Sequence, residues 1–519
     1  KRHLLWVVEP GDTDEALLRD QLAWLHARLY GEIVESDAME VDESLDLFLA
    51  ALAIAEGDGH RAWRRRSPRC SRTTASRPTD PSKTRREETQ MSKITRRGML
   101  ATGAAALGAA AIPASGSHQA EAQTGKDQKN LIVVLAAGGW DTTYCLDPKD
   151  SSHIDSPEGD VTMFGDLPIF TAPDRPNVSA FFEQNAGMCA VVNGIQMQSI
   201  VHTDCLKRLM TGTASDANPD MGSIVAYETG RGLPAPYFVL GPTAYTGPLA
   251  GLSARVGTLN QIRTLLDPAS AYPPVDPTRP PRFVANADEA ALIRGYLEAR
   301  AERTKAQRGQ LGANRRMLED FLSSFDRGDA LRGFSDGFGD ELAFTIDLSM
   351  QTTMAADALE RGIARCVHIE QSAVVGGWDT HNDNSAQRLQ YQDLFAGLSQ
   401  LADELATRPG SSAGSTLLDE TVVAVISEMG RTPLLNETGG KDHWPVTSAM
   451  IFGAGVRHGV YGRSTDKLDA ENVDFATGDP TTGGAQLTYT NLTAGILTLA
   501  GVEPTPWLPN STPFEAFIA

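Results

Sequence analysis

The chain has 519 residues, of which 41% are hydrophobic and 22% charged, and this composition is typical of a globular protein with a sizeable core. The formal net charge of −20 argues against nucleic acid as a partner, because binding to a phosphate backbone requires clustered lysine and arginine. No apolar run reaches the roughly 20 residues that a membrane-spanning helix needs, so no stable membrane span is expected. An acidic surface attracts cations, which keeps metal ions among the candidate partners.

The first 90 residues differ in character from the rest of the chain. Leucines recur at helical spacing in residues 13–56, which predicts two amphipathic helices. The stretch that follows, up to Gln90, is rich in Ser, Thr, Arg and Pro and is expected to be disordered, because such a composition cannot form a core. We therefore expect residues 1–90 to be a non-native or disordered leader outside the mature protein.

Residues 91–122 contain the three parts of a twin-arginine export signal in the right order. Arg96 and Arg97 precede a mildly apolar stretch, Ala101–Ile112, which is too short and too rich in Ala and Gly for a stop-transfer helix. Small residues at positions 120 and 122 then fit a cleavage site. The sequence thus predicts a periplasmic or secreted protein that meets the twin-arginine translocase during export.

Replacing both Arg96 and Arg97 with lysine is expected to retain the protein in the cytoplasm, because the receptor of this pathway recognises the arginine pair. Immunoblots of cytoplasmic and periplasmic fractions measure the distribution, and an unchanged periplasmic yield would contradict the signal. N-terminal sequencing of exported protein tests the expectation that the functional chain starts at Met91. Peptides from residues 1–60 in the mature material would exclude that start.

Four short apolar runs rich in β-branched residues predict buried parallel strands; they span residues 131–135, 189–192, 366–369 and 421–426. Two of the runs are followed by the same motif, Gly-Gly-Trp-Asp, which ends at Asp141 in one case and at Asp379 in the other. A third run is followed by Glu428. Strands alternating with helices predict an α/β fold with a doubly wound, mostly parallel sheet in a domain of residues 123–519. Because functional groups gather beyond the carboxyl ends of such strands, the three acids are expected at one edge.

Helices are predicted at residues 342–365 and 385–407, between the strands. Residues 287–324 are highly charged and carry one apolar stripe, which predicts a solvated helix or helical hairpin inserted into the sheet domain. The proline-rich residues 262–284 are expected to form a surface loop.

Two loop motifs carry the residue types of a metal site. His381 follows Asp379 by two residues, and His443 follows Asp442 directly after a Gly-Gly turn. Imidazoles beside carboxylates suit a divalent cation, with Zn or Mn favoured over Ca. The full predicted ligand set is Asp141, Asp379, His381, Glu428, Asp442 and His443.

Two alternatives to this ligand set remain open. Asp442 is either a ligand or a residue behind the metal that orients His443. Asp379 is either a ligand or the cap of a helix that begins near Asn384, in which case the histidines make structural hydrogen bonds.

Three further residues are candidates for catalysis. Arg431 is suited to binding phosphate or sulfate through two hydrogen bonds, or alternatively to an ion pair with Glu428. His202 and Thr203 stand at the predicted start of a helix, where an imidazole or a hydroxyl facing the sheet serves as nucleophile or ligand.

These motifs together resemble the signature of the family called domain of unknown function 1501. The resemblance rests on residues 428–433 (Glu-Met-Gly-Arg-Thr-Pro) followed by residues 440–445 (Gly-Lys-Asp-His-Trp-Pro), and on the Trp-Asp-Thr-His word at 378–381. Gly139-Trp140-Asp141 is similar to the family's opening, and His202 with Leu-Met-Thr-Gly at 209–212 is similar to its middle motif. The likeness extends from about Leu131 to the end of the chain.

The resemblance places the chain with alkaline phosphatases, sulfatases and cofactor-independent phosphoglycerate mutases, and it implies a metal site at the strand ends. Carried over by motif, Asp379, His381 and His443 would hold one metal, and Asp141 and Glu428 would contribute to a second. The chain departs from that pattern in two places. Glu428-Met429 replaces the usual Asp-His pair, and His202 with Thr203 beside it stands where a Ser, Thr or modified Cys nucleophile is expected.

Two functions follow as expectations. The first is an exported metal-dependent hydrolase of phosphate or sulfate esters, with a small anionic ester as substrate. The second is a non-catalytic exported binding protein that retains the scaffold and part of the metal site, because a fold does not guarantee a chemistry.

Overall fold

The computed structural model describes residues 128–149, 152–255, 285–308, 312–338, 347–371 and 377–519. All of them belong to one compact unit, Ser115–Ala519. The expected leader, export signal and proline-rich loop lie outside the described residues. None of the helices in the described ranges is long and apolar enough to cross a membrane.

The central sheet has eight strands in the order β8-β2-β7-β6-β1-β5-β3-β4. Strand β7 runs antiparallel to both of its neighbours, and every other pair in the sheet is parallel. The mostly parallel α/β sheet predicted from the sequence is therefore confirmed. The strands are β1 Asn130–Ala136, β2 Cys189–Gln196, β3 Tyr237–Val239, β4 Ser253–Arg255, β5 Cys366–Gln371, β6 Thr421–Ile426, β7 Val446–Gly453 and β8 Gly459–Gly462.

Strand β1 lies in the middle of the sheet, and all seven of its residues are buried. Ile132 and Val134 pack into the hydrophobic cluster on one face, whereas Leu131 and Val133 pack into the cluster on the other. A strand covered on both faces needs apolar residues at every position, which explains the uninterrupted apolar run in the sequence.

Helices cover both faces of the sheet. Residues of α6 and α7 contribute to one hydrophobic cluster, and residues of α2, α3 and α8 contribute to the other. The helices are α1 Pro176–Asn185, α2 His202–Thr211, α3 Met221–Thr229, α4 Ala287–Arg308, α5 Gly312–Phe338, α6 Leu348–Glu360, α7 Gln387–Thr407 and α8 Tyr489–Leu499.

The predicted bounds of two helices are corrected by the structure. Helix α6 ends at Glu360 instead of Arg365, because Gly362 adopts the left-handed conformation with φ +62° and turns the chain towards β5. Helix α7 begins at Gln387, after a short 3-10 turn. Asp383 caps that turn by accepting a hydrogen bond of 2.9 Å from the backbone N–H of Ser385.

The charged segment predicted to be helical, residues 287–324, contains α4 and the first half of α5. Helix α5 continues to Phe338, so the helical region is longer than the sequence pattern indicates. The apolar stripe of α4 faces solvent, since Leu292 is 76% exposed. Phe334, by contrast, is buried in the sheet domain and joins the end of α5 to its core.

Glycines allow the loops at the carboxyl ends of β1 and β6 to pack tightly together. Gly139 has φ +83°, and a Cβ on it would lie 2.7 Å from the side chain of Met429. A Cβ on Gly440 would overlap the backbone carbonyl of His381. A short antiparallel pairing places His443 opposite Arg431. The loops that carry the predicted site residues are thereby held against one another.

Candidate metal centre

The carboxylate of Asp379 lies at the centre of a group of imidazoles. The Nε2 atoms of His381 and His443 lie 3.3 Å and 3.4 Å from its Oδ1 atom, and Nε2 of His202 lies 3.4 Å from its Oδ2 atom. Arg431 donates a hydrogen bond of 2.8 Å to Oδ1. The Asp379 side chain is 46% exposed, so the group opens to solvent. His202 comes from the start of α2, and Asp379 and His381 come from the loop that follows β5. Arg431 and His443 lie opposite each other in the short antiparallel pairing between β6 and β7.

Behind each imidazole stands a hydrogen-bond acceptor that faces its Nδ1 atom. An acceptor at this position assigns the ring proton of a neutral imidazole to Nδ1 and leaves the lone pair on Nε2. The three pairs are His202 Nδ1 with Glu428 Oε1 at 2.8 Å, His381 Nδ1 with Asp442 Oδ1 at 3.1 Å, and His443 Nδ1 with the Ile200 carbonyl at 2.7 Å.

This arrangement points electron-rich atoms at one another. The Nε2 atoms of His381 and His443 are only 2.8 Å apart, although both carry lone pairs in the neutral tautomers. Nε2 of His202 is buried and has no hydrogen-bond partner among the described residues. Ligand atoms of His202, Asp379 and His443 all lie within 4.8 Å of one another. A cation between His202, Asp379 and His443 would satisfy the acceptors of these three residues. Imidazoles held from behind by acceptors are typical of metal ligands.

The electrostatic surroundings keep His443 and Asp379 in the deprotonated forms that a metal ligand requires. Burial lowers the pKa of His443, with neighbouring positive charges adding to the effect, and this keeps the ring neutral. Burial would raise the pKa of Asp379, but the hydrogen bond and charge of Arg431 outweigh it, so the pKa lies below its usual value. The hydrogen bond with Glu428 raises the pKa of His202, although burial opposes it.

Glu428 stands behind His202 and does not face Asp379. Its side chain is 1% exposed and also accepts hydrogen bonds from the backbone N–H of Gly138, at 2.8 Å and 3.1 Å. These contacts place Glu428 behind an imidazole, and they do not place it among the atoms that surround Asp379, so its predicted ligand role stays a prediction. His202, predicted as a catalytic residue, instead supplies one of the three Nε2 atoms that face Asp379.

Arg431 is fully engaged inside the protein. Its guanidinium donates to the backbone carbonyls of Gly139 at 2.7 Å, Trp378 at 3.0 Å and Lys441 at 3.2 Å, as well as to Gly138 and Asp379. Neither of the roles predicted from the sequence, anion binding or an ion pair with Glu428, describes these contacts. Instead, Arg431 ties three loops together and fixes the carboxylate of Asp379.

Asp141 does not share the partners of the imidazole group. Its carboxylate pairs with Lys441 Nζ at 2.7 Å and accepts hydrogen bonds from Asn384 Nδ2 at 2.8 Å and Thr143 Oγ1 at 2.7 Å. Both side chains of the ion pair are 0% exposed. The ligand role predicted for Asp141 finds no support in these contacts, because an ammonium group already occupies its carboxylate. The sequence reasoning missed Lys441, although it lies inside the Gly-Lys-Asp-His motif.

Two remaining sequence interpretations concern Thr203 and the capping role of Asp379. Thr203 is exposed in the first turn of α2. The cap near Asn384 is supplied by Asp383 and not by Asp379. The alternative in which Asp379 serves as a helix cap is therefore wrong.

The family model described as a protein of unknown function, DUF1501, matches residues 128–478. The chain belongs to this family. The match covers every residue of the imidazole group and its supporting acceptors, and it confirms the family predicted from the motifs. A comparison with curated proteins finds no match for this DUF1501 protein.

Several solved structures are similar to the DUF1501 chain in fold. One is a protein of the alkaline phosphatase superfamily from Vibrio parahaemolyticus, at 11% identity and TM-score 0.34, covering 76% of this chain and 71% of that one. Another is the lipoteichoic acid synthase LtaP from Listeria monocytogenes, at 10% identity and TM-score 0.33, covering 75% of each chain. A third is described as a putative sulfatase from Bacteroides thetaiotaomicron, at 8% identity and TM-score 0.32, covering 74% and 75%.

Replacing Asp442 with asparagine is expected to weaken metal binding roughly 10–100-fold, the usual effect of losing a carboxylate behind a ligating histidine. The neutral amide oxygen accepts a weaker hydrogen bond than the carboxylate, and the amide can also turn its NH₂ group towards the ring, so the proton of His381 is held less firmly on Nδ1. Competition with a chromophoric zinc chelator measures the affinity. Glu437→Gln is the matched control, because Glu437 is an exposed acid of the same loop. Equal zinc affinities for the two variants would show that Asp442 has no supporting role.

Proposed function

We propose that this protein binds one divalent metal ion through His202, Asp379, His381 and His443. The observation that carries the proposal is the convergence of three Nε2 atoms on one carboxylate, each ring held from behind by an acceptor. Three imidazole nitrogens with one carboxylate oxygen suit Zn or Mn and do not suit Ca, which prefers oxygen ligands.

The activity that fits this site best is metal-dependent hydrolysis of phosphate or sulfate esters in the periplasm or outside the cell. A bound divalent ion supplies Lewis-acid polarisation of an ester oxygen and lowers the pKa of a water molecule. The chain supplies the fixed ligand geometry: Arg431 orients Asp379, and Glu428 and Asp442 orient two of the histidines. The half-exposed Asp379 leaves one side of the group open to a substrate.

A second candidate, metal binding without turnover, is favoured by the contacts of Arg431. The guanidinium predicted to bind the anionic ester is buried and engaged with backbone carbonyls and Asp379. In this case the protein is an exported metal-binding member of its family.

One experiment separates the two functions. Protein purified from the periplasm is analysed for metal content and then assayed with aryl phosphates and aryl sulfates in the presence of added Zn, Mn or Ca. About one equivalent of Zn or Mn together with turnover that Asp379→Asn abolishes supports the hydrolase, whereas metal without turnover supports the binding protein. Glu437→Gln controls for the loss of one negative charge in the same region. Absence of bound metal under all conditions would exclude both.

A further inference from the structure

A cleft of about 540 Å³ lies beside the imidazole group, on the side of Asp442. Asp442 contributes to its wall and at the same time accepts a hydrogen bond from His381. Trp444, which directly follows His443, also lines the cleft. Asp442 therefore belongs both to the wall of the cleft and to the hydrogen bonds of the candidate metal centre, which makes the two neighbours.

Two adjacent leucines line the cleft and are unusually exposed. Leu434 is 52% exposed and Leu435 is 45% exposed. Their backbone is fixed on both sides: the Asp155 N–H donates to the Pro433 carbonyl at 2.9 Å, and the Leu435 N–H donates to the Asp155 carboxylate at 2.8 Å. Asn436 continues the anchoring through a bond of 2.8 Å to the Gly440 carbonyl. These hydrogen bonds fix the loop, so the two leucines stay exposed to solvent in the wall of the cleft.

The third apolar wall is the indole of Trp444. Its Nε1 donates a hydrogen bond of 2.8 Å to the Leu468 carbonyl, so the polar atom of the ring is already satisfied inside the protein. What remains for a ligand is the apolar surface of the ring. An apolar group of a ligand that covers this ring and the two leucines removes apolar surface from water, which favours binding.

The charges of the cleft decide which ligands it disfavours. Asp442 and Asp469 contribute two carboxylates to the lining, against one ammonium from Lys467. The whole chain has a formal net charge of −20. A ligand with anionic groups along its length is repelled by this lining, whereas an uncharged apolar group is not.

We infer that this cleft is an apolar subsite of the metal centre, which binds the uncharged aryl or alkyl part of an ester whose only anionic group lies at the metal. The inference rests on the proposed function for the anionic end of the ligand. It adds a substrate class: monoesters of apolar alcohols or phenols, in preference to polyanionic chains.

The first test measures binding to the zinc-loaded protein by calorimetry with methyl-, butyl- and octylphosphonate. We expect the dissociation constant to fall as the alkyl chain lengthens. In the double variant Leu434→Ser, Leu435→Ser, the ratio of the methyl to the octyl dissociation constant is expected to fall by about 25-fold, or about fivefold for each half-exposed leucine. Leu389→Ser is the matched control, because Leu389 is 55% exposed on α7 and leaves the ratio unchanged.

A second measurement tests the apolar subsite independently of metal binding. Binding of 1-naphthol, which has no anionic group at neutral pH, is followed by fluorescence in protein treated with a chelator. Naphthol binding to the wild type that is lost in the double leucine variant supports the subsite. If phosphonates fail to bind at the same time, that failure counts against the proposed function and not against the subsite. No naphthol binding to the wild type, or equal binding to both proteins, overturns the subsite. Phosphonate affinity independent of chain length overturns it as well and leaves the metal proposal standing.

Discussion

Replacing His443 with alanine is expected to weaken zinc binding by more than roughly 100-fold, beyond the effect of losing a residue that only supports a ligand. The substitution removes one of the three Nε2 atoms near Asp379, and no other described side chain of the group takes its position. The affinity is measured by competition with a chromophoric chelator. Thermal unfolding gives a second measure, since zinc at 100 times its dissociation constant stabilises the native wild type by about 2.7 kcal/mol. The variant is expected to show no such zinc-dependent rise in melting temperature.

His458→Ala is the matched control for this prediction. His458 is also half-buried, and its Nδ1 also faces a backbone carbonyl, that of Ala186, at 2.7 Å. It therefore reproduces the loss of a hydrogen-bonded imidazole without touching the Nε2 group. In the absence of metal, each substitution is expected to cost about 1 kcal/mol of stability, the ordinary contribution of one hydrogen bond. Wild-type zinc affinity in His443→Ala, or an equal loss in both variants, would remove His443 from the metal site.

The sequence predicts the framework of the fold because the framework depends on local patterns. Strand β1 appears as an unbroken apolar run, since both of its faces are covered, and the position of Asp379 after a strand indicates the carboxyl edge of the sheet. Helix ends are harder to predict. The end of α6 depends on the conformation of Gly362, and the sequence alone does not distinguish this glycine from others in loops.

The partners of the site residues depend on contacts between distant parts of the chain, and the sequence does not contain those distances. Glu428 and His202 are 226 residues apart, and their hydrogen bond becomes visible only in the folded chain. The same holds for Lys441, whose position next to Asp442 indicates a loop and not a buried ion pair with Asp141. Motifs therefore indicate which residues lie near the site, whereas the hydrogen-bond partner of each side chain becomes visible only in the folded chain.

Replacing either Lys441 or Asp141 alone is expected to destabilise the protein by about 3–5 kcal/mol, because each single change leaves one charged group buried without its partner. Their side chains are 0% exposed and 2.7 Å apart. Lys441→Met leaves the Asp141 carboxylate with Asn384 and Thr143, which donate hydrogen bonds but carry no charge. Asp141→Asn leaves the ammonium near the ring of Tyr144, whose centroid is 6.0 Å away. Against a typical total stability of about 5–15 kcal/mol, either loss is large.

The double variant Asp141→Asn, Lys441→Met is expected to recover most of that loss, since it removes both charges and with them the cost of burying an unpaired ion. Urea denaturation of the four proteins gives the coupling free energy of the pair as a double-mutant cycle. Arg388 and Asp174 provide the control cycle, because they form an ion pair of the same kind at 2.8 Å with side chains 45% and 43% exposed. That cycle is expected to give at most about 1 kcal/mol. Equal coupling in both cycles would mean that burial adds nothing to the Asp141–Lys441 pair.

The double variant also decides whether Asp141 binds metal. If the carboxylate serves only the ion pair, the folded double variant retains the zinc affinity of the wild type, because His202, Asp379, His381 and His443 are unchanged. If Asp141 is a ligand, as the motif comparison implied, zinc affinity falls in the double variant even though its stability recovers. Stability and zinc affinity measured on the same protein thus separate a residue that fixes the loops from one that holds the ion. The contacts with Lys441, Asn384 and Thr143 lead us to expect the first result.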